Sequence, residues 1–222
     1  MKHRSILPIL LLTLLGCALM AWVEGALQPT YPIKSALKIL LFVGLPLLHM
    51  ALTGDRALLS VFRRPTLREL RPAALLAAGV FAVIWGGYLV LDLVAGNFTA
   101  GVTASLTAKE GFTAATFPIA ALYIAFVNSM LEEFFFRGFA CLPGNRSAAL
   151  CSALAFGLYH VCIMDGWFPP FLFVLFTLGL TLVGVFFYRL DRPGGTLWPA
   201  WLVHMAANLA INSIGMHLFG WF

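Results

Sequence analysis

Charge is the scarcest property of this chain. Only 10% of its 222 residues are Asp, Glu, Lys or Arg, where a soluble domain carries about 25%. So little charge excludes a disordered chain, a nucleic-acid-binding module and an ordinary globular enzyme. Cysteine is also scarce and unpatterned. Cys17, Cys141, Cys151 and Cys162 form no C-x-x-C pair and show no regular spacing. They read as small buried side chains rather than as a disulfide framework or a zinc site. No internal repeat or low-complexity tract is present. What fills the chain is apolar: 61% of residues are hydrophobic and the mean hydropathy is +0.94. A membrane-spanning helix takes about 20 apolar residues, so about seven of them with short loops would use nearly the whole length. The expected fold is an all-α, polytopic membrane helical bundle, with residues 1–222 forming one transmembrane domain.

The runs can be placed one by one. Met1-Lys2-His3-Arg4 is basic and leads into the apolar stretch Ser5–Val23. It opens like a signal peptide, but no small-x-small cleavage site precedes Glu24, so it is read as a first span. Further runs cover Lys34–Thr53, Ala73–Ala95, Ala114 to about Leu142, Ser147–Met164, Phe168–Tyr188, and Leu197 to Gly215 or beyond. Gly54–Pro72 is the most basic stretch, with Arg56, Arg63, Arg64, Arg68 and Arg71, and Gly96–Thr113 reads as an exposed loop holding the sequon Asn97-Phe98-Thr99. Pro143-Gly144-Asn145 and Arg192-Pro193-Gly194-Gly195 are turns.

Loop charge orients the bundle. With the N-terminus inside, the inner segments hold ten cations: Lys2, Arg4, the five arginines of Gly54–Pro72, Arg146, Arg189 and Arg192. The outer segments hold three, Lys34, Lys38 and Lys109. That bias predicts a cytoplasmic N-terminus and an outer C-terminus. The expected location is a bacterial plasma membrane, with the lipid bilayer as a partner and no nucleic acid.

Ionisable groups inside a span cost about 2.5–3.5 kcal/mol each on insertion scales. Glu132 and Glu133 stand together in the apolar segment Phe-Val-Asn-Ser-Met-Leu-Glu-Glu-Phe-Phe-Phe-Arg-Gly-Phe. The structural reading is an ion pair that ties helices together. It suits Glu133, because Arg137 follows at i, i+4 with the acid N-terminal. Glu132 is turned about 100° away and lacks a local partner, so it is the candidate for chemistry. Asn128, one turn earlier, shares its face as a candidate supporting residue. In the fifth run, Phe156 lies one turn before His160 and could fix its ring by packing. In the seventh, His204, Asn208 and Asn212 form a polar stripe at helical spacing, which could equally be interhelical hydrogen bonding. At about 1.5 Å per residue, Glu132 lies roughly 12 Å from its inner end, His204 roughly 10 Å and His160 roughly 15–20 Å. A carboxylate, two imidazoles and a carboxamide at similar depth would make a site with a base and hydrogen-bond donors.

Glu132-Glu133-x-x-x-Arg137, Phe156-x-x-x-His160 and His204-x-x-x-Asn208 resemble, in order, the three signature motifs of the CPBP family of CAAX proteases and bacteriocin-processing enzymes, also called the Abi family, which includes the type II CAAX prenyl proteases. The resemblance covers about residues 114–214. It implies a glutamic-type intramembrane endopeptidase acting on a membrane-associated or lipidated protein or peptide. It further implies that Glu132 and His160 activate a water, that His204 and Asn208 stabilise the oxyanion, and that Glu133 and Arg137 give structural support. No cofactor is expected. Zinc is the runner-up, since two His and a Glu can ligate it, although Asn208 would be an unusual ligand and no His-Glu-x-x-His is present. Two other functions use the same residues. Buried Glu and His mark ion pathways, as in a transporter or proton relay, although the internal repeat common in transporters is lacking. A catalytically silent immunity or binding protein could share the scaffold.

Overall fold

The computed structural model describes residues 5–94, 103–104, 106–108, 110–164, 170–192 and 194–222, with side chains undescribed over 161–172. Seven long helices are found among these residues. They are α1 (Ile6–Trp22), extended by a π-helical turn over Val23–Leu27, α2 (Tyr31–Thr53), α3 (Leu67–Val94), α4 (Phe117–Phe139), α5 (Arg146–Met164), α6 (Pro170–Asp191) and α7 (Trp198–Leu218). No strand occurs among the described residues. Among the described residues, five helices are long and apolar enough to cross a membrane: Ile6–Leu27, Tyr31–Thr53, Leu67–Val94, Phe117–Phe139 and Phe173–Asp191. α5 and α7 have comparable lengths, 19 and 21 residues, but carry Ser147, Ser152 and His160, and His204, Asn208, Asn212 and Ser213. Outward-facing leucines such as Leu40, Leu75, Leu93 and Leu182 are exposed, as expected where lipid rather than water is the solvent. The chain is an integral membrane protein of all-α fold.

Two helices begin earlier than the hydropathy pattern predicts. α2 starts at Tyr31, with Pro32 in its first turn, where proline's fixed φ and missing N–H suit a helix start. Lys34 and Lys38 therefore lie inside the helix, where both are buried. Neither is a loop cation, since Lys34 pairs with Glu24 at 2.7 Å and Lys38 with Glu132 at 2.5 Å. Lys109, the third outer cation, lies outside the described residues, as do Lys2, Arg4 and the sequon at Asn97. The basic stretch after α2 is also more ordered than a loop. It holds a 3-10 helix, Arg56–Phe62, and the start of α3 at Leu67. Thr66 and Glu69 form a capping box there: Thr66 N–H donates to Glu69 Oε2 at 2.6 Å and Glu69 N–H to Thr66 Oγ1 at 3.4 Å. That reciprocal pair satisfies donors a helix start leaves open.

The described chain divides into two compact units, Met1–Pro65 with Leu131–Ala200, and Thr66–Met130 with Trp201–Phe222. In the first, the end of α4 is the core, with every residue from Leu131 to Cys141 buried. Phe135 stacks on Phe42 of α2 at 4.1 Å between ring centroids, and Phe139 meets His49 further along the same helix at 5.4 Å. α2 and this part of α4 therefore run parallel. On the α1 side, Gly16 leaves room for the Phe135 ring, since a Cβ there would lie 2.7 Å from Phe135 Cζ. From α5, Ser152 Oγ donates to the Phe136 carbonyl at 2.5 Å. That carbonyl belongs to a π-helical turn, Glu133–Phe139, a geometry frequent at functional sites. In the second unit, α3 meets α7 through Trp85 Nε1, which donates to Ser213 Oγ at 2.9 Å, and Gly215 admits the Phe117 ring.

Candidate active site

Glu132 and Glu133 sit side by side where α4 changes from α to π geometry, and both are buried, at 1% and 0% exposure. They face different partners. Glu133 Oε2 meets Arg137 Nε at 3.4 Å, the i, i+4 pair. The guanidinium lies over Phe156, 4.0 Å from its ring centroid, and 5.1 Å from that of Phe187 on α6. Its two terminal nitrogens have no hydrogen-bond partner among the described residues, so the aromatic faces carry the rest of its stabilisation.

Glu132 divides its two oxygens. Oε1 accepts from Lys38 Nζ at 2.5 Å, and Oε2 faces His160 Nε2 at 3.5 Å. The sequence offers Glu132 no local partner, and the one seen here stands 94 residues away. The Lys38 ammonium also lies 5.3 Å from the Phe42 ring centroid and 5.0 Å from that of Tyr159. A carboxylate in an apolar core is tolerable only when paired, and Lys38 supplies that pairing.

His160 is held on two sides. Its Nδ1 lies 2.8 Å from the Phe156 carbonyl. A carbonyl only accepts, so Nδ1 donates to it, and Nε2 is the ring nitrogen that faces Glu132. The Phe156 ring packs on the imidazole at 4.4 Å between centroids. Phe156 thus touches Arg137 with its ring and His160 with its ring and carbonyl, linking the two acidic residues' surroundings. Straight-helix counting puts His160 several ångströms deeper than Glu132, whereas the structure brings them level.

The third motif lies in the second unit. His204 is buried. Asn208 Nδ2 donates to the Ile124 carbonyl at 3.2 Å, and Asn212 Nδ2 to the Ala121 carbonyl at 3.0 Å. The Ile124 carbonyl belongs to a second π-helical turn of α4, Tyr123–Asn128, which ends on half-buried Asn128, and the Ala121 carbonyl lies in the α-helical segment just before it. Each amide has two N–H donors, so Asn208 keeps one beyond its tether. Around the end of the first unit, a cavity of about 280 Å³ is lined by Arg137, Cys141, Asp191 and Thr196 among others. Asp191 Oδ1 accepts from the Ala200 N–H at 2.9 Å, capping the start of α7. Cys141 is buried and its thiol is pushed up to about 11, chiefly by burial. It is therefore not a thiolate nucleophile. The side chain of Cys162 lies outside the described residues.

Residues 114–210 match the family model described as Type II CAAX prenyl endopeptidase Rce1-like. The matched stretch is somewhat under half of the chain and contains all three motifs, and it supports the resemblance to the CAAX protease family. A family match of this kind implies CAAX-type intramembrane protease activity. No curated protein and no solved structure matches the chain.

Proposed function

We propose that the protein is a glutamic-type intramembrane endopeptidase that hydrolyses a peptide bond of a membrane-associated or lipidated protein. The observation that carries this reading is the facing of Glu132 Oε2 and His160 Nε2 at 3.5 Å, both acceptors once Nδ1 holds the His160 proton. A water lying off the line between them can donate one O–H to each. Two acceptors on one water raise its nucleophilicity, and Glu132 is positioned to take a proton from it. The water oxygen then bonds to the scissile carbonyl carbon. As the tetrahedral adduct collapses, the C–N bond breaks and the proton held by Glu132 passes to the leaving amine. The products are a carboxylic acid and an amine. We assign the oxyanion to His204 and Asn208 from the resemblance of the third motif, which lies within the matched residues 114–210. Two fixed donors would hold the charge that develops there.

The donor set favours water activation without a metal. The Lys38 ammonium stands on the Glu132 carboxylate at 2.5 Å and would repel a cation there. The test incubates the purified full-length protein with prenylated CAAX peptides, unprenylated controls and leader-type peptides, and identifies products by mass spectrometry. Defined fragments, and an Asn208→Ala variant whose kcat falls about 10²–10³-fold with little change in KM, are expected. No cleavage anywhere in the panel, or stoichiometric zinc lost with activity in His204→Ala, would overturn the reading.

A further inference from the structure

We infer that Lys38 is a positioning residue for Glu132: it keeps the carboxylate charged and aims Oε2 at His160. The inference rests on the peptidase reading. Lys38 lies on α2, outside the family-matched residues 114–210. Its ammonium is buried and aimed from three sides, toward Glu132 Oε1 at 2.5 Å and over the rings of Phe42 and Tyr159. A carboxylate has two equivalent oxygens and rotates about its last bond. Anchoring one of them fixes the other. Here the anchored oxygen is Oε1, and the one left toward His160 is Oε2.

Lys38 also sets the charge of its partner. An isolated carboxyl in an apolar core neutralises rather than stay charged, and a neutral carboxyl cannot accept a proton from water. Lys38 on α2 and His160 on α5 both face Glu132 from neighbouring helices. The Lys38 ammonium is the nearer, at 2.5 Å against 3.5 Å, and supplies the compensating charge. A purely structural role explains less, because buried ion pairs contribute little net stability compared with apolar packing. One turn earlier on the same helix, Lys34 is buried in its own pair with Glu24 at 2.7 Å. It is a control for the loss of any buried lysine from α2.

The test uses the full chain in detergent or nanodiscs, with Lys38→Met, Lys38→Arg and Lys34→Met. A hydrophobic carbodiimide adds to a protonated carboxyl and not to a carboxylate, so adduct formation at Glu132, read by mass spectrometry at neutral pH, reports its charge. Lys38→Met is expected to raise Glu132 labelling about tenfold or more. It should lower kcat on a cleaved peptide while KM stays within about twofold. Lys38→Arg, which keeps the charge, and Lys34→Met should leave labelling near the wild-type rate. Lys38→Gln provides the same neutralisation if the methionine variant does not fold. Labelling and kcat unchanged in a folded neutral variant would overturn the inference while leaving the peptidase reading intact. Labelling that responds to Lys38 in a protein that cleaves nothing would sink the peptidase reading instead, and keep the hold of Lys38 on Glu132.

Discussion

Glu133→Gln tests the division of labour between the two adjacent acids. Glu133 is fully buried and its partner Arg137 nearly so, with 3.4 Å between Oε2 and Nε. Removing one member of a buried pair costs about 3–5 kcal/mol, because the other is left charged and unpaired. The guanidinium keeps its two aromatic neighbours in the variant, at 4.0 and 5.1 Å. Each cation–π contact stabilises by about 0.5–2 kcal/mol, so the lower end, about 3 kcal/mol, is expected. For a chain of this length 1 kcal/mol moves the melting midpoint by about 2–4 °C, so a fall of about 6–12 °C follows. The double variant Glu133→Gln/Arg137→Met removes both charges and should recover most of that loss. The assay is thermal unfolding of the solubilised protein followed by tryptophan fluorescence. A single variant that melts with the wild type, or a double variant that loses the sum of the two singles, would refute the structural assignment.

Three further outcomes are expected. Gly157→Ala should lower the melting midpoint by the equivalent of about 1–3 kcal/mol, since its Cβ would lie 2.5 Å from Thr181 Oγ1 and 2.7 Å from the Thr177 carbonyl, whereas Gly179→Ala, with open space around it, should not. In a background with the native cysteines replaced, Arg64→Cys should be shielded from an impermeant thiol reagent in intact cells and Ala104→Cys labelled; the reverse pattern would place the N-terminus outside. Cys141, with its thiol pushed up to about 11 by burial, should resist maleimide near pH 8 in the folded protein and react faster as pH rises toward that value; rapid labelling near neutrality would contradict its burial.

What the sequence makes legible is what is local. The seven runs become seven helices because apolar length sets a span. Glu133 and Arg137 find each other because they are one turn apart. Phe156 and His160 meet for the same reason. The lysines are misread because a cation near the end of an apolar run looks like a loop charge. Pro32 was the available signal that α2 starts at Tyr31 and holds Lys38 two turns inside. Thr66-x-x-Glu69 was likewise a visible capping box, masked by the arginines around it. The pairing of Lys38 with Glu132 spans 94 residues, and no spacing rule reaches that far. Neither π-helical turn of α4 has a sequence signature, yet one begins at Glu133, immediately after Glu132.

In the proposed mechanism Glu132 is the base that activates water. The most direct measurement is the single-turnover cleavage rate of a membrane-bound peptide by wild type and by Glu132→Gln, with folding of both checked by melting. The amide leaves the Lys38 ammonium without its carboxylate, so some loss of stability is expected, and the comparison is made well below both midpoints. The expected rate is lower by about 10²–10⁴-fold in the folded variant, the typical contribution of a general base. A folded Glu132→Gln protein that cleaves at close to the wild-type rate would contradict it.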